Sequence, residues 1–253
     1  MNTYPENESI RAFILCGGLG TRLRTVVADR PKSMANVAGV PFLQILIERL
    51  RSQKLHNIVL GTGYMAGSIE THFGTGEELG LHLQYSKENK PLGTAGAVRN
   101  AAPYLSDPAL ILNGDSYTEW DFDAMQTIMA AKNADLVIVL QRVDDVSRYG
   151  NVVIEGENRV VQFVEKRSLT GPGLINAGVY LLRKQIILDL PVGVSVSLER
   201  DVFPGLLARR VYGCISAGSF IDIGLPEDLR RAQTLLLPQA LSTSSRDRGI
   251  SFD

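Results

Sequence analysis

Histidine is scarce in this chain, with three residues, and cysteine scarcer still, with two. Two cysteines cannot build a disulfide framework. Cys16 and Cys214 both sit inside apolar runs, so they read as small buried hydrophobes of a reducing compartment. His56, His72 and His82 fall outside every pattern described below, which leaves no ground for a histidine-based catalytic group or zinc site. No apolar run reaches the ~18 residues that a membrane span needs. A net charge of −1 excludes a whole-protein basic field and with it a nucleic-acid partner. The opening "MNTYPENES" is polar and acidic, unlike a signal or transit peptide. The expectation is a cytoplasmic protein that meets neither membrane nor nucleic acid.

Short apolar runs alternate with segments of helical period. Strands are expected at 11–16, 57–63, 82–86, 109–115 and 134–143, with helices at 42–52, 66–73, 93–105 and 123–133 between them. This βαβα order predicts an α/β protein with a mostly parallel sheet covered on both faces. After residue 150 the character changes. Residues 151–166 alternate and turn at Gly156–Asn158, which predicts a hairpin. A long strand (174–184), a helical stretch with a proline break (196–210), two strands ending near 224 and a helix at 226–236 follow. Residues 10–238 read as one domain with C-terminal hairpin additions. Residues 1–9 read as a flexible N-terminus and 239–253 as a polar, frayed tail.

The most informative stretch is "ILCGGLGTRLRTVVADRPKSM" (14–34). A strand breaks into Gly17, Gly18 and Gly20, and Arg22 and Lys32 come behind them. A glycine-rich turn exposes backbone N–H groups to a single anion, so phosphate is the natural ligand. Two familiar phosphate loops do not fit. The G-x-x-x-x-G-K-[ST] loop lacks its lysine here, and the dinucleotide fingerprint fails because Arg22 stands where the third glycine belongs. That argues against a nucleotide-dependent dehydrogenase.

Here the chain resembles the sugar-nucleotide pyrophosphorylases, nucleotidyltransferases that make NDP-sugars. The resemblance rests on "GGLGTRL" followed by "RPKSM", then on "PLGTAGAV" (91–98), "ILNGDS" (111–116), "RYGNV" (148–152), "VEKR" (164–167), "INAGVYLL" (175–182) and "FIDIG" (220–224). It covers residues 10 to about 236. One departure is Thr25, where many members carry proline. The resemblance implies a three-layer, Rossmann-like nucleotidyltransferase fold. It implies that Arg22, Lys32, Asp115, Lys166 and Asp222 carry the reaction, with Asp115 and Asp222 holding Mg²⁺. Leu15, Gly17, Gly18, Gly20, Thr21, Leu92, Gly93, Thr94 and Asn113 would surround the nucleotide. Gly150, Glu165, Lys166, Asn176 and Gly178 would meet the sugar 1-phosphate. Glu199 is expected to be structural.

Physical chemistry agrees with part of this assignment. Asp115 closes an apolar strand, and ligands of open α/β sheets gather at strand carboxyl ends. Asp222 lies between isoleucines, where a lone carboxylate is costly unless paired or bound to a cation. Gly93 and Gly96 are expected to bring backbone close to a flat base. Glu88, just before that turn, or a backbone carbonyl beside it, is expected to accept from guanine N1–H and N2–H₂. The motif combination most resembles the short D-glycero-α-D-manno-heptose 1-phosphate guanylyltransferases. GTP and heptose 1-phosphate are therefore the expected substrates, for a surface glycan such as capsule or lipopolysaccharide. Mannose 1-phosphate guanylyltransferases, short uridylyl- or thymidylyltransferases and an inactive regulatory homologue are the alternatives. A homodimer is one option for the assembly.

Overall fold

The computed structural model describes residues 10–18, 20, 23, 27, 29–166 and 169–247. In chain order the first half comprises β1 (Arg11–Leu15), the short pair β2 (Asn36–Val37) and β3 (Val40–Pro41), α1 (Phe42–Ser52), β4 (Asn57–Thr62), α2 (Ala66–Phe73), β5 (His82–Lys87), α3 (Gly93–Ala101), β6 (Ala109–Asn113), β7 (Ser116–Thr118), α4 (Phe122–Ala131) and β8 (Leu136–Val143). The second half comprises β9 (Asn151–Glu155), β10 (Arg159–Val164), β11 (Gly173–Leu182), α5 (Lys184–Leu188), β12 (Val211–Ser216), β13 (Phe220–Asp222), α6 (Pro226–Leu235) and α7 (Leu237–Asp247).

The central sheet has nine strands in the order β5-β4-β1-β6-β11-β8-β12-β10-β9. Only β11 and β10 run against the rest, so the sheet is mostly parallel. Its inner strands β1, β4, β6 and β8 are apolar on both faces because both faces are covered there, whereas the outer strands β5, β9 and β10 alternate. The pleat then sorts the side chains. Ala12 and Ile14 of β1 enter the core on the α1, α4 and α7 side, and Phe13 enters the opposite core against α3 and α5. The β9–β10 hairpin turns through Gly156 and Asn158, both at positive φ, as the alternation predicts. The expected α/β, Rossmann-like architecture is observed.

Two departures from the sequence expectation have physical causes. The last predicted strand does not join the sheet. β13 pairs with β7 in a separate two-stranded ribbon, with Asp222 opposite Ser116. The end expected to fray is helical to Asp247: Leu236 and Ala240, one turn apart, are fully buried beside α1, and Thr243 is buried with them. A buried stripe of so few side chains, with Leu237 and Leu241 exposed off it, gives no clear apolar periodicity, yet it is enough to dock a helix. No helix among the described residues is long and apolar enough to cross a membrane.

Candidate active site

A cleft of about 490 Å³ opens at the carboxyl ends of β1 and β6. Its floor is the glycine turn after β1. Leu15, Cys16, Gly17, Gly18 and Gly20 all line it. Part of the glycine requirement comes from the protein's own packing. Gly20 has φ +57°, and a Cβ there would lie 2.9 Å from the Cβ of Lys32. Only Gly18, where a Cβ would meet nothing within 4 Å, faces open space. Thr21 and Arg22 lie outside the described residues.

Lys32 begins a single 3₁₀ turn, Lys32–Met34. Its Nζ lies 2.8 Å from Asp115 Oδ2 and 3.7 Å from Asp222 Oδ1. The ribbon explains this meeting of residues distant in sequence. Asp115 sits between β6 and β7, and Ile223, just past β13, donates its N–H to the Asp115 carbonyl at 2.9 Å. Gly224 N–H holds Asp222 Oδ1 at 2.6 Å. The lysine side chain is only 12% exposed, whereas the two carboxylates are 43% and 33% exposed. Two carboxylates therefore share one mostly buried ammonium; Lys32 and Asp115 line the cleft, and Asp222 stands just behind them, next to the lining residue Gly224. Paired carboxylate oxygens that already converge on one cation are a fitting donor set for a hard divalent ion. Among the described residues no cluster of three or more His, Cys, Asp or Glu side chains exists, so substrate oxygens and water would have to complete the shell.

The facing wall is built by Glu88, Leu92, Gly93, Thr94 and Ala97. Glu88 Oε2 accepts from Leu92 N–H at 2.9 Å and so closes the turn that leads into α3. Burial pushes the Glu88 carboxyl up, and the Leu92 hydrogen bond partly offsets this. The reason for Gly93 and Gly96 differs from the expectation. A Cβ on Gly93 would lie 2.5 Å from the Val196 carbonyl, and one on Gly96 2.6 Å from that of Val194. Val196 donates to Leu92 O at 2.9 Å and accepts from Ala95 N–H at 2.9 Å. The two glycines thus admit the chain segment 194–196, which caps α3, and Val196 occupies an N–H group there that a ligand could otherwise have used.

The sugar-side residues divide. Asn176 lies where β11 shifts register against β8, between Asn176 and Tyr180. Its Oδ1 accepts from Gly178 N–H at 2.9 Å, and its Nδ2 donates to Tyr180 OH at 3.0 Å. Gly178 has φ +81°, and a Cβ would lie 2.6 Å from Ser116 Oγ and 2.9 Å from Asn113 Nδ2. Gly178 therefore abuts Asn113, which lines the cleft. Gly178→Ala is expected to lose about 1–3 kcal/mol of stability from backbone strain alone. It should also displace Asn113; a thermal melt beside an activity assay checks both. Gly150 is buried against the Val164 carbonyl, which a Cβ there would approach to 2.6 Å. It packs the backbone ahead of Glu165 and Lys166, which are both exposed. Neither of these charged residues lines the cleft, and Glu165 lies near Arg200.

Tyr180 was not foreseen. It is fully buried, its ring meets Phe203 edge-on at 4.9 Å, and its hydroxyl donates to Glu199 Oε1 at 3.1 Å. The available signal was a tyrosine in an otherwise apolar strand, since a buried hydroxyl needs a partner. Burial and the neighbouring Glu199 push that hydroxyl well above its ordinary titration range.

A family model described as nucleotidyl transferase matches residues 11–239. The D-glycero-alpha-D-manno-heptose 1-phosphate guanylyltransferase of Campylobacter jejuni is 35% identical over 219 residues, which cover 87% of this chain and 96% of that protein. The mannose-1-phosphate guanylyltransferase of Mycobacterium tuberculosis is 38% identical over 234 residues, which are 91% of this chain and 65% of that one. The chain thus spans slightly less than two thirds of the mycobacterial enzyme. The crystal structure of HddC from Yersinia pseudotuberculosis, complexed with GMP-PN, superposes with a TM-score of 0.78 at 38% identity, covering 88% of this chain and 98% of that one.

Proposed function

This chain is a member of the nucleotidyl transferase family, and from that premise we propose that it joins GTP to a sugar 1-phosphate, releasing pyrophosphate and forming a GDP-sugar. The observation that carries this reading is the convergence of Lys32, Asp115 and Asp222 at one edge of a cleft floored by a glycine turn. D-glycero-α-D-manno-heptose 1-phosphate is the favoured acceptor. The Campylobacter relative carries that name and is covered over 96% of its length. Mannose 1-phosphate is the second reading, supported by the mycobacterial relative.

A phosphate oxygen of the sugar 1-phosphate attacks the α-phosphorus in line. The bond from that phosphorus to the bridging oxygen breaks, and pyrophosphate leaves with the electron pair. The nucleophile is already ionised, so the protein needs no general base. Its task is to align two anions and offset their charge. Asp115 and Asp222 are the residues that would hold Mg²⁺. Bound there, the ion would supply positive charge to the reacting phosphate oxygens. Lys32 reaches the same edge of the cleft and adds a cation to it. Arg22 is assigned to the leaving phosphates and Lys166 to the sugar phosphate, both from sequence resemblance. Substrates of this kind, and two free cysteines, accord with a cytoplasmic enzyme of surface-glycan synthesis.

The deciding experiment measures pyrophosphate release from the four NTPs against heptose and mannose 1-phosphates. GTP with heptose 1-phosphate should be fastest. Release with UTP or dTTP alone would overturn the guanylyl assignment and leave the transfer chemistry standing. No release from any pair would overturn the activity itself. Base selection has its own test. A pocket that accepts from N2–H₂ should prefer GTP to ITP by roughly tenfold, the worth of one charge-assisted hydrogen bond. Glu88→Ala should narrow that ratio and also raise the KM for GTP, because it frees Leu92 N–H. A raised KM with the ratio untouched would place base selection in the backbone of the turn.

A further inference from the structure

Three segments far apart in sequence meet at one carboxylate. Glu199 lies in a single helical turn, Leu198–Val202, capped by Ser197. Its Oε2 accepts from Thr94 Oγ1 at 2.9 Å and from Ser197 Oγ at 3.0 Å. Its Oε1 accepts from Tyr180 OH at 3.1 Å. Thr94 in turn accepts from Leu198 N–H at 2.7 Å, so the nucleotide-side wall is tied to this turn in both directions. On the other side Tyr180 OH receives Asn176 Nδ2 at 3.0 Å.

The direction of the hydrogens follows from the chemistry. A carboxylate only accepts, so the single hydroxyl hydrogen of Tyr180 goes to Glu199. Tyr180 OH is then left as an acceptor alone. Asn176 must turn its NH₂ group toward it and its Oδ1 away. Asn176 Oδ1 then finds Gly178 N–H. Gly178 in turn abuts the cleft residue Asn113, whose Nδ2 would lie 2.9 Å from a Cβ at that position.

We propose that Glu199 is a positioning residue that acts through the Tyr180 hydroxyl to fix the side-chain amide of Asn176, and with it Gly178 beside the cleft residue Asn113, relative to the Thr94 wall of the cleft. This rests on the guanylyltransferase reading for its effect on turnover, though not for the relay itself. Glu199 touches no reacting atom. It sets the face that the register-shift asparagine presents, and links it to the turn expected to carry the base. Glu199→Gln brings in a donor that can point at Tyr180, which frees the hydroxyl hydrogen to swing toward an asparagine oxygen. Tyr180→Phe removes the middle link and keeps the aromatic packing on Phe203.

The test uses the whole chain with Tyr180→Phe, Glu199→Gln and the double variant. Each single variant should lower kcat by about tenfold or more, since small misalignment at a reacting centre is expensive. GTP affinity, read by calorimetry, should stay within about threefold. The double variant should be no slower than the slower single one, because both break one chain. Effects that multiply, or a kcat within twofold of wild type in both folded single variants, would overturn the proposal. Side-chain amide exchange, read by NMR, gives a measure independent of turnover. The Asn176 NH₂ protons should exchange slowly in the wild type and faster in Tyr180→Phe. Unchanged exchange overturns the relay. A wild type that exchanges as expected but turns over no NTP and sugar 1-phosphate pair would sink the functional reading alone.

Discussion

Asp115→Asn and Asp222→Asn should each lower turnover by at least about 100-fold, the scale seen when one electrostatic contact to a transition state is removed. Both substitutions keep shape and take away a charge. Folding should survive them. The side chains are 43% and 33% exposed, so neither is a core group, and Lys32 keeps the other carboxylate as partner in either variant. Asp222 contributes a second effect, because its Oδ1 also holds Gly224 N–H at 2.6 Å. An asparagine oxygen can keep that bond, so the loss reports charge and not the turn. The measurement is pyrophosphate release across a Mg²⁺ titration. The deficit should be largest at limiting Mg²⁺ and shrink as the ion is raised. Near-normal turnover of both variants at limiting Mg²⁺ would remove the metal assignment.

How far this site could be read from the amino-acid sequence depends on how local each part is. Gly17–Gly20 and Lys32 are neighbours along the chain, and a strand that breaks into glycines announces an anion turn by itself. Asp115 was legible from an apolar strand with a polar tip. Asp222 was legible as an anomaly, a carboxylate between isoleucines, but its partner was not. Its meeting with Asp115 depends on β13 leaving the main sheet to pair with β7, and no periodicity encodes that choice. Family resemblance supplied the pairing before geometry did. The Thr94–Glu199–Tyr180 chain joins residues 105 and 19 positions apart on three separate elements, so no spacing rule finds it. Gly93 and Gly96 show the reverse case. Their identity was legible and the assigned reason was not, because the segment that crowds them comes from residues 194–196. Helix α7 was missed because its buried stripe is narrow and two of its leucines, Leu237 and Leu241, lie off that stripe and exposed.

Lys32→Met should separate two roles that the lysine combines. In the ligand-free protein its ammonium lies 2.8 Å from Asp115 and 3.7 Å from Asp222, where it offsets the mutual repulsion of the two carboxylates. Methionine fills similar space without charge. Turnover should fall by about 100-fold or more, since a cation at the reacting phosphates is lost. Stability in EDTA should also fall. The lysine is mostly buried, but its partners are 43% and 33% exposed, and solvent screening reduces the pair's worth to about 1–2 kcal/mol. Mg²⁺ should then do what the ammonium did. It should bind the variant more tightly than the wild type in the absence of nucleotide, because no internal cation competes for the carboxylates, and it should restore the lost stability by mass action. Thermal melts with EDTA and with Mg²⁺, together with calorimetric Mg²⁺ titration, read these effects without any need for turnover. Weaker or unchanged Mg²⁺ binding in Lys32→Met would mean that the lysine and the metal do not share the Asp115–Asp222 pair. In that case Lys32 would be a phosphate ligand only, and the carboxylate pair would need another explanation for meeting at the mouth of the cleft.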